Sequence, residues 1–396
     1  MKSSKLPYLG LGFITLVIAG IVSSSLNPLP QLISAKPEPT IPKTIVRGLE
    51  HPWSMAWLPD GSILITERPG RLRIVKNGVL LPQAIAGLPN IYAQGQGGLM
   101  DISLHPQFQQ NRLVYLTYSH GDASANRTRL GRAKFDGKSL TNFQVIFEAA
   151  PVKAGTQHFG SRIAWLQDGT LLLAIGDGGN PPLKLGGSLI REQAQKLNSH
   201  LGKVLRLNDD GSAPKNNPFI KKPQAKPEIW SYGHRNIQGL AVDQNTGKVW
   251  ATEHGSKGGD ELNLLNVGKN YGWPQVSFSQ EYFGGDITSL RSKVGMVDPK
   301  LVWTPAIAPS GLAVYNSTRF PQWQGNLFLG GLVSQDLRRI TIDRDGLVKT
   351  QEQINIGQRV RDVRQGADGF IYVLTDQVNG ELIRLQPAKT VNSRVL

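Results

Sequence analysis

Two residue types able to handle protons bracket one short stretch, "HFGSRIAWLQDGTLLLAIGDGG", residues 158 to 179. His158 stands before an apolar run, a turn follows, and a second apolar run ends at Gly176-Asp177. Two runs of this length across an Asp-Gly turn read as a β-hairpin. Antiparallel neighbours place the start of the first strand and the end of the second at the same end. The imidazole and the carboxylate are therefore expected side by side.

The hairpin is one of six. Related units read "SMAWLPDGSILITERPGRLRIV" (54–75), "LMDISLHPQFQQNRLVYLTYSH" (99–120), "RIAWLQDGTLLLAIGDGG" (162–179), "GLAVDQNTGKVWATEHG" (239–255), "GLAVYNSTRFPQWQGNLFLGGL" (311–332) and "VRDVRQGADGFIYVLTDQVNGELIRL" (360–385). No single unit buries both of its faces, so the copies must stack, and radial packing about a channel satisfies that. The expected fold is all-β, a six-bladed β-propeller over 39–388, with loops at 180–228 and 274–305. Two β-sandwiches are the rival arrangement, and they account poorly for six similar units.

Radial packing gathers every strand entrance and exit on one face. Before the first strands stand Gln96, His158, Arg235 and Asn236, Ser310, and Arg359 with Arg361. After the second strands stand Asp177 and the run "EHGSKGGDE" (253–261). Taken singly, each has a plain structural use: a turn cap, a core histidine, a paired arginine. Together they form a polar ring.

The 396 residues contain 44 glycines, 25 prolines and no cysteine, and carry a formal net charge of +15. Without cysteine there is no disulfide framework, zinc–thiolate site or cysteine nucleophile. The positive charge is dispersed, apart from "PKNNPFIKKPQAKPE" (214–228), and no nucleic-acid motif accompanies it. A solvated basic surface is the plain reading, and a docking site for an acidic electron-transfer partner the sharper one. Lys2 and Lys5 precede an uncharged stretch from Leu6 to Leu26, with Ala35 as a cleavage point. Residues 1–38 thus read as a signal peptide or membrane anchor plus linker, and 389–396 as a tail. The expected location is periplasmic or extracellular, with membrane attachment if the segment is uncleaved.

The ordered motifs "GQGGLMDISLHPQF", "HFGSRIAW", "IGDGG", "YGHRNIQGLAVD", "EHGSKGGDELNLL", "GKNYGWP" and "GQRVRDVRQGADGFIYVLTD" resemble the soluble quinoprotein aldose sugar dehydrogenases of the glucose/sorbosone dehydrogenase family. That resemblance implies a propeller that binds pyrroloquinoline quinone (PQQ) and oxidises aldose sugars at C1 to lactones. A hydride passes to PQQ, and the electrons leave to an external acceptor, a cytochrome or a quinone. It implies His158 as base, Asp177 as the carboxylate orienting it, and Arg235 as the cation beside the quinone oxygen. Gln96, Asn236, Ser277, Tyr282, Arg359 and Arg361 are implied as cofactor contacts. Calcium is implied twice, held by the Gly255 and Ser256 carbonyls and by the Glu261 side chain with the Tyr271 carbonyl. One departure stands out: Val333 occupies the place of a family lysine, with Arg338 or Arg339 as replacements. A calcium-dependent lactonase-like hydrolase and a non-catalytic binding propeller are the alternative readings, since propellers host both.

Overall fold

The computed structural model describes Met1, Ile33–Ser34 and residues 40–387. By contacts the chain divides into Met1–Gln31 and Leu32–Leu396. The signal or anchor segment, apart from Met1, Ile33 and Ser34, and the tail after Pro387 lie outside the described residues. Among the described residues no helix is long and apolar enough to cross a membrane.

Six antiparallel sheets make the second unit. Their innermost strands are Pro52–Trp57, Leu99–Leu104, Ile163–Trp165, Ile237–Val242, Pro309–Val314 and Val360–Gln365. Each packs on the next, and the sixth packs back on the first. That closed ring is a six-bladed propeller and rules out paired sandwiches. The ring is fastened by Thr40–Leu49, which pairs antiparallel with Gly380–Pro387 as the outermost strand of blade six. Ile33–Ser34 adds a short parallel strand to the outer edge of blade five.

Local sequence explains the units. The second strands Ile63–Glu67 and Leu171–Ile175 are buried along their whole length, so they read as continuous apolar runs rather than alternating ones. The turns before them need a left-handed residue, and Gly61 (φ 82°) and Gly169 (φ 81°) supply it. Neighbouring blades bury apolar side chains between them, as where Leu64 and Leu72 meet Leu116 and Phe135.

Below the site the axis is closed by charge. Arg162 is fully buried, with Nη1 2.8 Å from Asp362 Oδ1. Arg364 reaches both Asp101 (3.0 Å) and Asp362 (3.1 Å). Three blades, the second, third and sixth, thus meet in one compensated ionic cluster.

Two stretches expected to be loops contain strands. Lys203–Leu207 is the third strand of blade three, and Leu301–Trp303 the fourth of blade four. The first was hidden by its lysine, whose buried Nζ donates to the carbonyls of Gln193, Ala194 and Leu201. The register Ile175↔Lys203 and Leu171↔Leu207 sends the following turn to the end opposite Asp177. The basic run 214–228 lies in that turn, away from the polar ring.

Candidate active site

The pairs Ile163↔Leu173 and Trp165↔Leu171 set entrance and exit of blade three together. Between them the backbone is tightly folded. His158 sits at φ 50°, an uncommon conformation for a side chain with a Cβ. A Cβ on Gly176 would stand 2.2 Å from His158 O, so glycine there is what permits the approach. Two amides hold the turn: Gln96 Oε1 accepts the His158 N–H (2.9 Å), and Asn236 Oδ1 accepts the Gly160 N–H (3.1 Å).

Asp177 Oδ1 lies 2.6 Å from His158 Nδ1. The same oxygen accepts the Gly179 N–H (3.0 Å), and Oδ2 accepts Trp273 Nε1–H (2.7 Å). With Nδ1–H given to the carboxylate, the lone pair of His158 is at Nε2. Burial and then the Arg235 charge push the imidazole pKa below its ordinary value, against the opposing pull of Asp177. His158 is therefore neutral at pH 7 and able to accept a proton.

Arg235 comes from the approach to blade four. Its backbone N–H donates to Glu253 Oε2 (2.7 Å). Its guanidinium donates to His254 O (3.1 Å) and Asn180 Oδ1 (2.7 Å) and lies 5.4 Å from the Trp273 ring centroid. Arg235 Nε is buried without an acceptor. His254, driven down to about 3 by burial and by Arg235 and Arg361, is a neutral ring whose Nε2–H meets Pro309 O (2.8 Å).

Beside this group opens an axial cavity of about 350 Å³. Trp53, Met100 and Phe159 form its apolar wall, and Gln96, Asn236 and His254 join it to the dyad. Its cations are Arg68, Arg359 and Arg361, and its one carboxylate is Asp376. Burial would raise the Asp376 pKa, but Arg361, His51 and Arg359 together hold it well below the carboxylate range. His158 and Arg235 do not line this cavity; they are 3% and 2% exposed behind its wall.

A second cavity, of about 10 Å³, is lined by Gly255, Glu253, Glu261, Tyr271 and Ser277. That is room for about one water-sized occupant. Burial and then Glu253 raise the Glu261 pKa. Its one side-chain donor is Asn263 Nδ2 (3.2 Å), which Glu253 shares (2.9 Å). Gly255 and Ser256 anchor the adjoining turn, their amides donating to Asp260 (2.7 Å) and Ser279 (3.0 Å). Among the described residues no group of three or more His, Asp or Glu is arranged to hold a metal. Any ion here therefore needs backbone oxygens as well.

Four expected residues stand apart from the axial cavity or are otherwise paired. Tyr282 is exposed at a turn closed by the Glu281 N–H to Gly285 O bond, and it lines neither cavity. Ser277 lines the small cavity instead of the axial one. Arg338 and Arg339 are spent in ion pairs with Asp336 (3.2 Å) and Glu352 (2.5 Å), so neither replaces a cation at Val333, which does line the axial cavity. Conversely, Arg68, His51 and Asp376 were missed. Each stands at an entrance or exit of its hairpin, so the positional rule that selected His158 and Asp177 selects them too. Lys153 was also missed: burial brings its amine down to about 7, and it lies 4.0 Å from the Phe159 ring centroid.

A propeller that sets a histidine–aspartate pair beside an arginine-walled axial cavity has the parts for proton abstraction next to an anion. The chain belongs to the Glucose / Sorbosone dehydrogenase family, whose sequence profile matches residues 49–384. It is 40% identical over 346 residues to the aldose sugar dehydrogenase YliI of Escherichia coli, covering 86% of this chain and 91% of that one. The soluble aldose sugar dehydrogenase of E. coli in its apo form superposes with a TM-score of 0.83 at 38% identity, over 88% of this chain and all (100%) of the other. The PQQ-bound aldose sugar dehydrogenase of Streptomyces coelicolor gives a TM-score of 0.70 at 28% identity, over 89% and 100%.

Proposed function

We propose that this chain is a quinoprotein that oxidises aldose sugars at C1 to lactones, with PQQ as its cofactor. The observation that carries this reading is the His158–Asp177 contact, 2.6 Å from Nδ1 to Oδ1, set beside the arginine-walled cavity. The cavity suits a flat tricarboxylate: three guanidiniums face one acid, and an apolar wall of Trp53, Met100 and Phe159 suits a ring face. The orphaned Arg235 Nε supplies a donor for a ligand oxygen. When bound, PQQ supplies an ortho-quinone that takes up a hydride.

The remaining work falls to side chains of this chain. His158 Nε2 receives the proton of the sugar's C1 hydroxyl as C1–H leaves as hydride, so the C1–O bond becomes the lactone carbonyl. Asp177 keeps the ring in the tautomer that leaves Nε2 free and balances the imidazolium that forms. Arg235 faces negative charge developing on oxygen, where a fixed cation does most good. Arg359, Arg361 and Arg68 hold cofactor carboxylates, and the Gln96 and Asn236 side chains tie the pocket to the His158 turn. We assign the small cavity to calcium: Glu261 is a half-buried carboxylate with a single side-chain donor, and hard oxygen ligands suit that ion. The Tyr271 carbonyl would complete that site, and the Gly255 and Ser256 carbonyls would hold a second calcium. There calcium supplies a Lewis acid.

Export across the membrane, by a signal or an anchor, fits the N-terminal pattern, and a cytochrome or quinone fits the need for an external acceptor. A lactonase-like hydrolase has no use for three arginines around one cavity. The test is a reduction assay with PQQ, calcium, an aldose and an artificial dye. Dye bleaching that needs both sugar and PQQ and disappears in His158→Ala supports the proposal. Lactone hydrolysis without PQQ refutes it.

A further inference from the structure

Trp273 touches both halves of the reactive group. Among the described residues its Nε1–H is the sole side-chain donor to Asp177 Oδ2 (2.7 Å), and the Arg235 guanidinium lies 5.4 Å from its ring centroid. Its backbone is pinned from blade three: the Trp273 N–H donates to Gly233 O (3.0 Å), and Gln195 Nε2 donates to Trp273 O (2.7 Å). A second guanidinium, Arg191, stands 5.9 Å from the same ring and is itself held by Glu281 (2.7 Å). Arg191 and Glu281 belong to the two long insertions, after the second strand of blade three and before the last strand of blade four. The indole thus connects the packing of those insertions to the dyad.

The consequence is electrostatic. Asp177 is fully buried, and its two oxygens are unequally served. Oδ1 has His158 and the Gly179 N–H, whereas Oδ2 has Trp273. Stripping a buried carboxylate oxygen of its donor leaves charge uncompensated. That charge then pulls harder on His158 Nδ1–H and raises the affinity of the ring for a second proton. We propose that Trp273 is a positioning residue that keeps His158 a weak enough base to stay unprotonated, acting through Asp177, while its ring face keeps Arg235 in place. This rests on the reading of His158 as the base. The charged groups acting on His158 are Arg235 from the approach to blade four, Lys153 from the approach to blade three, and Asp177. His254, across from it, is neutral.

The experiment is a histidine-selective NMR titration of the cofactor-free chain, with His158→Gln assigning the resonance, in the parent and in Trp273→Phe. Phenylalanine keeps an aromatic ring and deletes the N–H. The His158 titration is expected to move up by about one pH unit. The acid limb of kcat/KM in the PQQ-loaded enzyme should move with it, while KM for the sugar changes less than about twofold. A fall in melting temperature with an unmoved titration overturns the proposal and leaves Trp273 a packing residue. If Trp273→Phe does not fold, Glu281→Gln loosens Arg191 instead, and a smaller upward displacement is expected; none overturns the proposal. A parent chain that oxidises no sugar overturns the proposed function instead, because the NMR titration is read without it.

Discussion

Arg361 Nη2 lies 2.6 Å from Asp376 Oδ2, so the single carboxylate of the axial cavity is turned onto its cations. Arg359 Nη2 follows at 3.7 Å. An acid inside a pocket proposed to bind an anion needs a reason, and holding the guanidiniums together is one. Asp376→Asn is expected to lower the melting temperature of the cofactor-free chain, because the Arg361 guanidinium loses its close counter-charge. PQQ should then raise that temperature by more than it does in the parent. An equal increment in both chains contradicts this account. The pH sense follows from the depressed carboxyl. Its contribution is complete above the unfolded value of about 4 and is lost as pH falls toward the lower folded value.

His158 sits below its ordinary pKa because burial and then Arg235 disfavour its charged form. Turnover that needs it neutral should rise with pH through an inflection in kcat/KM that lies below the ordinary histidine value. His158→Gln is expected to lower kcat by about 10²–10⁴ with little change in KM. Asp177→Asn keeps the shape but removes the charge that fixes the tautomer, and its loss should be of the same order. A kcat unchanged in either variant removes the assigned base.

How much of this was legible depends on where each signal lies in the chain. The six hairpins carry local signals: buried second strands and glycine turns such as Gly61 and Gly169. The closing strand Thr40–Leu49 carries none. It is largely exposed, contains Pro42 and Lys43, and takes its partner from the other end of the chain, as in Thr40↔Pro387. His158, Asp177, Arg235 and the 359/361 pair were reachable because hairpin geometry converts sequence position into place. Trp273 was not, because it rises to the dyad from an insertion with no repeat phase, reaching Asp177 across 96 residues. Tyr282 failed for the same reason, since an irregular loop lets a residue type match while its side chain ends in solvent.

The small cavity predicts a metal dependence. Glu261 and Glu253 share the Asn263 amide, and no cation offsets Glu261 among its side-chain partners. Calcium should raise the melting temperature, and a chelator should reverse that rise. Glu261→Gln should remove most of the calcium increment while making the metal-free chain no less stable, because it removes one of two neighbouring carboxylates that share a single amide donor. A calcium increment retained in full by Glu261→Gln places the ion elsewhere.

Val333 lines the axial cavity, is 60% exposed, and lies just past the second strand of blade five, where the family resemblance implies a lysine. Its backbone N–H is bound to Ile307 O (3.0 Å), so the exit turn is already fixed and the side chain is free to change. An exposed position also accommodates a long cation without burying its charge. Val333→Lys adds one charge beside the three arginines facing a tricarboxylate. The expected result is PQQ affinity about tenfold higher at low salt, worth about 1.4 kcal/mol, with the gain shrinking as salt screens it. Since the new amine stands at the cavity wall and not at the dyad, kcat at saturating PQQ should be unchanged. Titration of the cofactor-free protein with PQQ at two ionic strengths reads both effects. An affinity that does not respond to the added charge overturns the assignment of the cofactor carboxylates to this part of the cavity, because the Arg359 guanidinium is bound to the neighbouring Leu332 carbonyl (3.2 Å).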